Sequence, residues 1–152
     1  MINKMLQAKC VLQAEGTSGV SGTLQLYSGK DGKGTIITGS IAGLHMNGKP
    51  VGNTDYLNGI HVHELTDLSK GCAGAGGHFN PLGWNHGGPT DKVRHPGDFG
   101  NLLTQPQADG STTTEVFIRA PAVDLTTVGE GILNRSIVVH AGADDLGKGG
   151  NF

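Results

Sequence analysis

The chain has 152 residues and a mass of 15.6 kDa, enough for a single domain over residues 1–152 with a core of its own. Its 27 glycines exclude a helix bundle, since each glycine in a helix interior costs about 1 kcal/mol, and no Gly-X-Y period supports collagen. A net charge of −2 with 36% hydrophobic and 16% charged residues excludes a disordered tail and gives no basic cluster for nucleic acid.

Short strands separated by turn signals follow in chain order. Residues 6–14 form a mixed apolar and polar run. Within residues 20–27, Thr23-Leu24-Gln25-Leu26-Tyr27 alternates with the period of a half-buried strand. Asp31-Gly32 is a hairpin signal. Residues 35–44 are β-branched at first and then broken by glycine, which suits a bulged or bent strand. A polar loop is expected over residues 46–58, then a short strand over 59–64. Residues 65–98 read as one long irregular stretch. Residues 100–104 and 112–119 suggest a strand pair around Asp109-Gly110, and residues 134–140 give the last strand. About seven strands and no amphipathic helix predict an all-β sandwich or barrel. Met1–Gly16 holds no long apolar run and no stretch of about 18 apolar residues occurs, so a cytoplasmic protein is expected, with a processed secreted form as the other possibility. Cys10 and Cys72 allow at most one disulfide.

The irregular stretch has few large apolar residues, and a loop of that length inside a domain calls for another source of order. Its histidines suggest one. His61 and His63 lie two apart in a strand and share a face, with Ile60 and Val62 turned to the core. By the same alternation Ile137 and Val139 face inward and His140 outward. The loop adds His78, His86 and His95, with Asp98 three residues further on. Six of the seven histidines thus fall in two strands and their connecting loop, His45 being read as an ordinary polar loop residue. Imidazoles with one carboxylate suit Zn²⁺ or Cu²⁺, and no His-Glu-x-x-His pattern points to a zinc hydrolase.

These residues resemble the Cu/Zn superoxide dismutase family. Gly59-Ile60-His61-Val62-His63-Glu64 is similar to its copper-binding strand, and Gly71-Cys72 to its disulfide-loop cysteine. His78-Phe79-Asn80-Pro81, His86-Gly87-Gly88-Pro89 and Arg94-His95-Pro96-Gly97-Asp98-Phe99-Gly100-Asn101 resemble its zinc loop. Arg135-Ser136-Ile137-Val138-Val139-His140 and Asp144-Asp145-Leu146-Gly147-Lys148-Gly149-Gly150-Asn151 resemble its last copper-ligand strand and the start of its electrostatic loop. The resemblance implies a Greek-key β-sandwich or barrel of the immunoglobulin-like kind with long metal-binding loops. It implies copper on His61, His63, His78 and His140, and zinc on His78, His86, His95 and Asp98. His78 bridges the two and serves as the catalytic proton carrier, and Asp144 links His61 to His86. The implied activity is antioxidant: superoxide is disproportionated to O₂ and H₂O₂ by copper redox cycling, with zinc structural. The implied partners are superoxide and a second copy in a homodimer, with no nucleic acid or membrane.

The family pattern usually continues some twenty residues past Phe152, carrying an arginine beside copper, a cysteine and a final strand. The resemblance therefore implies a fold lacking its last strand, with Cys72 unpaired, Cys10 a buried thiol, and Lys148 the nearest carried-over cation. Two other functions fit the motifs: the dismutase-like domain of a copper chaperone, and a truncated metal-binding form with little activity. The full histidine set, without a Cys-x-x-Cys or Cys-x-Cys motif, favours the enzyme. Asn134-Arg135-Ser136 matches a glycosylation sequon, read as accidental at a strand start.

Overall fold

The computed structural model describes residues 5–44, 49–51, 55–127, 129 and 131–149. His45 and residues 150–152 lie outside the described residues, and so do the expectations made for them. Nine strands are assigned: β1 (Gln7–Leu12), β2 (Ser21–Ser28), β3 (Thr35–Ala42), β4 (Lys49–Val51), β5 (Asp55–His63), β6 (Ser69–Cys72), β7 (Asp98–Thr104), β8 (Thr113–Ala120) and β9 (Ser136–Val139). Among the described residues helix is limited to two 3-10 turns, Lys30–Gly32 and Ala73–Ala75.

The strands form two antiparallel sheets, one in the order β1-β2-β3-β8, the other β4-β5-β7 with β9 also paired to β5. The chain changes sheet between β3 and β4 and again between β7 and β8, so β8 lies beside β3, a Greek-key connection. Leu24, Leu26, Ile37, Ile41 and Val116 from the first sheet meet Ile60, Val62, Phe99 and Leu102 from the second in one core. Ile137 and Val139 pack against it, as the alternation of β9 predicts. The turn between β2 and β3 is the one Asp31-Gly32 signals, both residues having positive φ (62° and 76°).

The structure corrects several sequence expectations. Residues 46–58 are not all loop: β4 covers Lys49–Val51 and β5 starts at Asp55. Asn, Asp and Gly in this stretch read as turn chemistry, but pairing of Tyr56, Leu57 and Asn58 with β7 overrides local preference. The stretch after residue 64 contains β6 and a 3-10 turn, so β4 and β6 together raise the strands among the described residues from the expected seven to nine. The strands flanking Asp109-Gly110 are not partners. β7 pairs with β5 and β8 with β3, leaving only a bridge between Pro106 and Thr112. No bulge interrupts β3, which runs in continuous register with β2. Gly39 there permits close approach instead, since a Cβ would lie 2.3 Å from the Thr23 carbonyl oxygen.

The bulge lies in β7. Gly59 faces Asn101 and His61 faces Asp98, so two steps along β5 meet three along β7. The extra residue falls beside Gly100, whose φ is +76°. Asp98 and Asn101 are an odd number of residues apart, and the bulge puts both on the face that carries His61.

Candidate metal centre

His61 and His63 project from β5 away from the core, as their spacing predicts, with ring centroids 6.3 Å apart. His140 follows directly on β9, and its ring lies 4.7 Å from that of His61. His78 arrives from the loop through an isolated bridge to His63, fastened by the Phe79 N–H to the Val62 carbonyl (2.8 Å). Its ring stacks on His61 at 4.2 Å and lies 4.9 Å from His63, 5.1 Å from His86 and 5.2 Å from His95. His78 is thus central, with imidazoles on both sides.

On one side of His78, candidate ligand atoms of His61, His63, His78 and His140 all lie within 4.8 Å of one another. His61 Nδ1, His63 Nε2 and His140 Nε2 are buried without a hydrogen-bond partner. The second nitrogens of two of these rings are committed: His61 Nε2 to Asp144 Oδ1 at 2.8 Å, His63 Nδ1 to the Gly76 carbonyl at 2.9 Å. Such outer bonds fix which nitrogen stays free as a lone-pair donor. Burial holds His61 far below the ordinary imidazole range, and nearby His78 and His140 push it further. Burial also lowers His63, against the Gly76 carbonyl, and pushes His140 down to about 4 with help from His63 and His78. These rings are neutral at pH 7, the form in which imidazole binds a cation.

On the other side, His78 Nδ1 lies 3.2 Å from Asp98 Oδ1 and from His95 Nδ1. His86 Nδ1 is 2.9 Å from Asp98 Oδ2 and His95 Nδ1 is 3.3 Å from Asp98 Oδ1. The His86 contact is close but not aligned as a hydrogen bond, as expected of donors aimed at a common point. A second set of donors within 4.8 Å of one another comprises His61, His78, His86 and Asp98. His61 belongs by chemistry to the first side, because its free nitrogen converges there. His95 completes the second, its Nε2 already bonded to the Trp84 carbonyl at 2.9 Å.

Asp98 is fully buried. Burial alone would raise its pKa, but hydrogen bonds from His78 and from the Gly87 and His95 N–H groups hold it well below the carboxylate range. His86 moves the other way. Burial lowers it, but the Asp98 and Asp144 carboxylates outweigh that and raise it. Asp144 Oδ1 contacts both His61 Nε2 and His86 Nε2 at 2.8 Å, so one oxygen ties the two halves together.

The structure therefore brings together all eight residues singled out in the sequence: His61, His63, His78, His86, His95, His140, Asp98 and Asp144. It adds Asn101, whose Oδ1 accepts the Asp144 N–H at 2.7 Å and whose Nδ2 donates to the Asp144 carbonyl at 3.3 Å. An asparagine that bonds to backbone leaves no spacing signal, and only the bulge puts it on this face. A cleft of about 320 Å³ opens over His61, His78, His86, His140 and Asp144. Cys10 and Cys72 are both free thiols.

A Greek-key β-sandwich with imidazoles arrayed in two sets about a shared histidine defines a protein built for a pair of borderline metal ions. The family described as copper/zinc superoxide dismutase (SODC) matches residues 20–151, and the chain belongs to that family. It is 42% identical over 149 residues to the superoxide dismutase [Cu-Zn] of Candida glabrata, and 40% identical over 147 residues to that of Talaromyces marneffei. Each alignment covers 97% of this chain and 86% of the relative. It is also 39% identical over 142 residues to the extracellular superoxide dismutase [Cu-Zn] of Onchocerca volvulus, covering 93% of this chain and 63% of that relative. No helix among the described residues is long and apolar enough to cross a membrane.

Proposed function

We propose the following assignment of residues for the copper- and zinc-dependent disproportionation of superoxide to which the family membership points. His61 Nδ1, His63 Nε2, His140 Nε2 and the facing nitrogen of His78 hold copper. His78 Nδ1, His86 Nδ1, His95 Nδ1 and Asp98 hold zinc. The observation that carries the assignment is the convergence of three buried, unpartnered nitrogens beside His78. Leaving such groups without a partner is costly unless a cation takes their lone pairs.

Bound copper supplies a one-electron couple, which zinc does not have. The overall change consumes two superoxide anions and two protons and yields one O₂ and one H₂O₂. His78 Nε2, on the copper side, takes up and delivers one of those protons. Asp144 fixes the tautomers of His61 and His86, so that neither ring swings out of line when charge on the site changes. The cleft over His61 and His140 admits a diatomic anion.

The test is superoxide decay by the chain loaded with one copper and one zinc, against a chelator-treated blank. Metal-dependent decay is expected, and none despite stoichiometric copper would overturn the assignment. The bridge has its own test. His78→Ala should remove the effect of zinc on the copper spectrum, and a spectrum that still responds to zinc would rule His78 out as the link.

A further inference from the structure

Along β5, Asn58, Ile60 and Val62 face inward and alternate with Gly59, His61 and His63. Ile60 and Val62 are core residues. Asn58, the one polar side chain of the three, is as buried as they are, at 1% exposure. Its Nδ2 donates to the carbonyls of His140 (3.0 Å) and Ala141 (3.2 Å). Both partners can only accept, so chemistry fixes the amide with its nitrogen toward them. Its Oδ1 is then left buried without a partner. An apolar side chain of similar size would avoid that cost, so packing does not explain an asparagine here.

The position on the strand matters. β7 occupies one edge of β5. On the other edge, among the described residues, β4 pairs as far as Leu57 and pairing with β9 begins at Ile60. Between them, Asn58 and Gly59 meet the chain as it leaves β9. The His140 N–H donates to the Gly59 carbonyl at 2.7 Å, and the Gly59 N–H to the Gly142 carbonyl at 2.9 Å. The backbone thus grips the N–H of His140, and the Asn58 side chain grips its carbonyl and the next one. His61 and His63 each have a ring hydrogen bond that sets their direction. Among the described residues no hydrogen bond reaches the His140 ring.

We propose that Asn58 is a positioning residue for His140, orienting the imidazole through its main chain in place of the ring hydrogen bond that His61 and His63 possess. The inference rests on the reading of His140 as a copper ligand. The experiment uses the zinc-loaded full chain titrated with one equivalent of Cu²⁺, followed by electron paramagnetic resonance and by chelator competition. Asn58→Asp keeps the shape but turns an acceptor toward two carbonyls. It should alter the copper hyperfine pattern and lower copper affinity roughly tenfold or more, with zinc affinity unchanged. Asn58→Ser retains one donor and should shift the same signals less, and it decides the question if Asn58→Asp does not fold. Copper spectra and affinities equal to the unmodified chain, even with a lower Tm, would overturn the positioning role. An unmodified chain without nitrogen-coordinated copper would overturn the ligand reading itself.

Discussion

Asp144 serves two imidazoles with one oxygen, so its own placement must be tight, and Asn101 supplies that by holding both the N–H and the carbonyl of Asp144. Asn101→Ala keeps the carboxylate but frees its backbone. We expect a loss of roughly tenfold in affinity for both metals, measured by chelator competition for each. A loss confined to one metal would show that Asn101 does not act through Asp144. At this scale the candidate ligands were legible because histidine is rare and its placement is periodic: His61 and His63 by strand alternation, Asp98 by its spacing from His95. Asn58 and Asn101 were not, because side chains that bond to backbone carry no repeating pattern. Cys72 gives a further prediction. Burial pushes its thiol up to about 11, and the neighbouring Glu15 carboxylate adds to the shift. The thiol form therefore prevails at pH 8, and alkylation should quicken about tenfold per pH unit towards 11. Glu15→Gln should speed alkylation at pH 8, and an unchanged rate would remove Glu15 from the account.

Among the elements, β7 is the one whose geometry brings Asp98 and Asn101 to the face of β5 that carries His61. Without its extra residue, Asp98 and Asn101 would lie on opposite faces, and one of them would point into the core. Gly100 makes the bulge possible at φ +76°, and a Cβ there would also lie 3.0 Å from Pro89 Cδ. Gly100→Ala should cost about 1–3 kcal/mol, and weaken zinc binding more than copper binding. Gly110→Ala is the natural control. Its φ is +82° but nothing lies within 4 Å of the added methyl. Equal losses of Tm in the two variants would show that the contact with Pro89 is unimportant. Glycine in the sequence pointed to a bulge or bend over residues 35–44, whereas the bulge lies in β7. The glycines of β3 serve close approach between strands, and that of β7 serves the bulge. Likewise the alternation in β2 was readable from local residues. The extra length of β5 was not, since it depends on β7 pairing from more than forty residues away.

For the molecule as a whole, metal binding, loop order and pH form one linked system. The loop after β5 exposes Leu65, Leu68, Leu82, Trp84 and Val93, so little of its order comes from burial. Its fixed points are Phe79, its one large apolar side chain in the core, together with the histidines and Asp98. Binding that favours only the folded state stabilises it by about 4 kcal/mol when free metal is a thousandfold above Kd. For a chain of this size that raises Tm by roughly 10–15 °C. Chelation should therefore lower Tm by that order and open the loop to proteolysis, whereas equal Tm and equal cleavage would separate metal binding from loop order. Acid should act on the metal-free protein in a definite direction. His61, His63 and His140 are lowered by burial. Below about 6.5 the unfolded chain takes up their protons while the folded chain does not. Stability should fall as pH drops from about 6.5, and His140 stops contributing to that fall near its own value of about 4. His86 has the opposite sign, because Asp98 and Asp144 raise it against burial. Its contribution is lost as pH rises through its raised value and is already complete below about 6.5, so it does not counter the fall below that pH. Thermal unfolding of the metal-free chain from pH 7 to pH 4 should thus show a falling Tm, and the decline should be smaller in His140→Ala. A Tm that holds or rises between pH 6.5 and pH 4 would mean that the buried rings of His61, His63 and His140 do not govern the acid response.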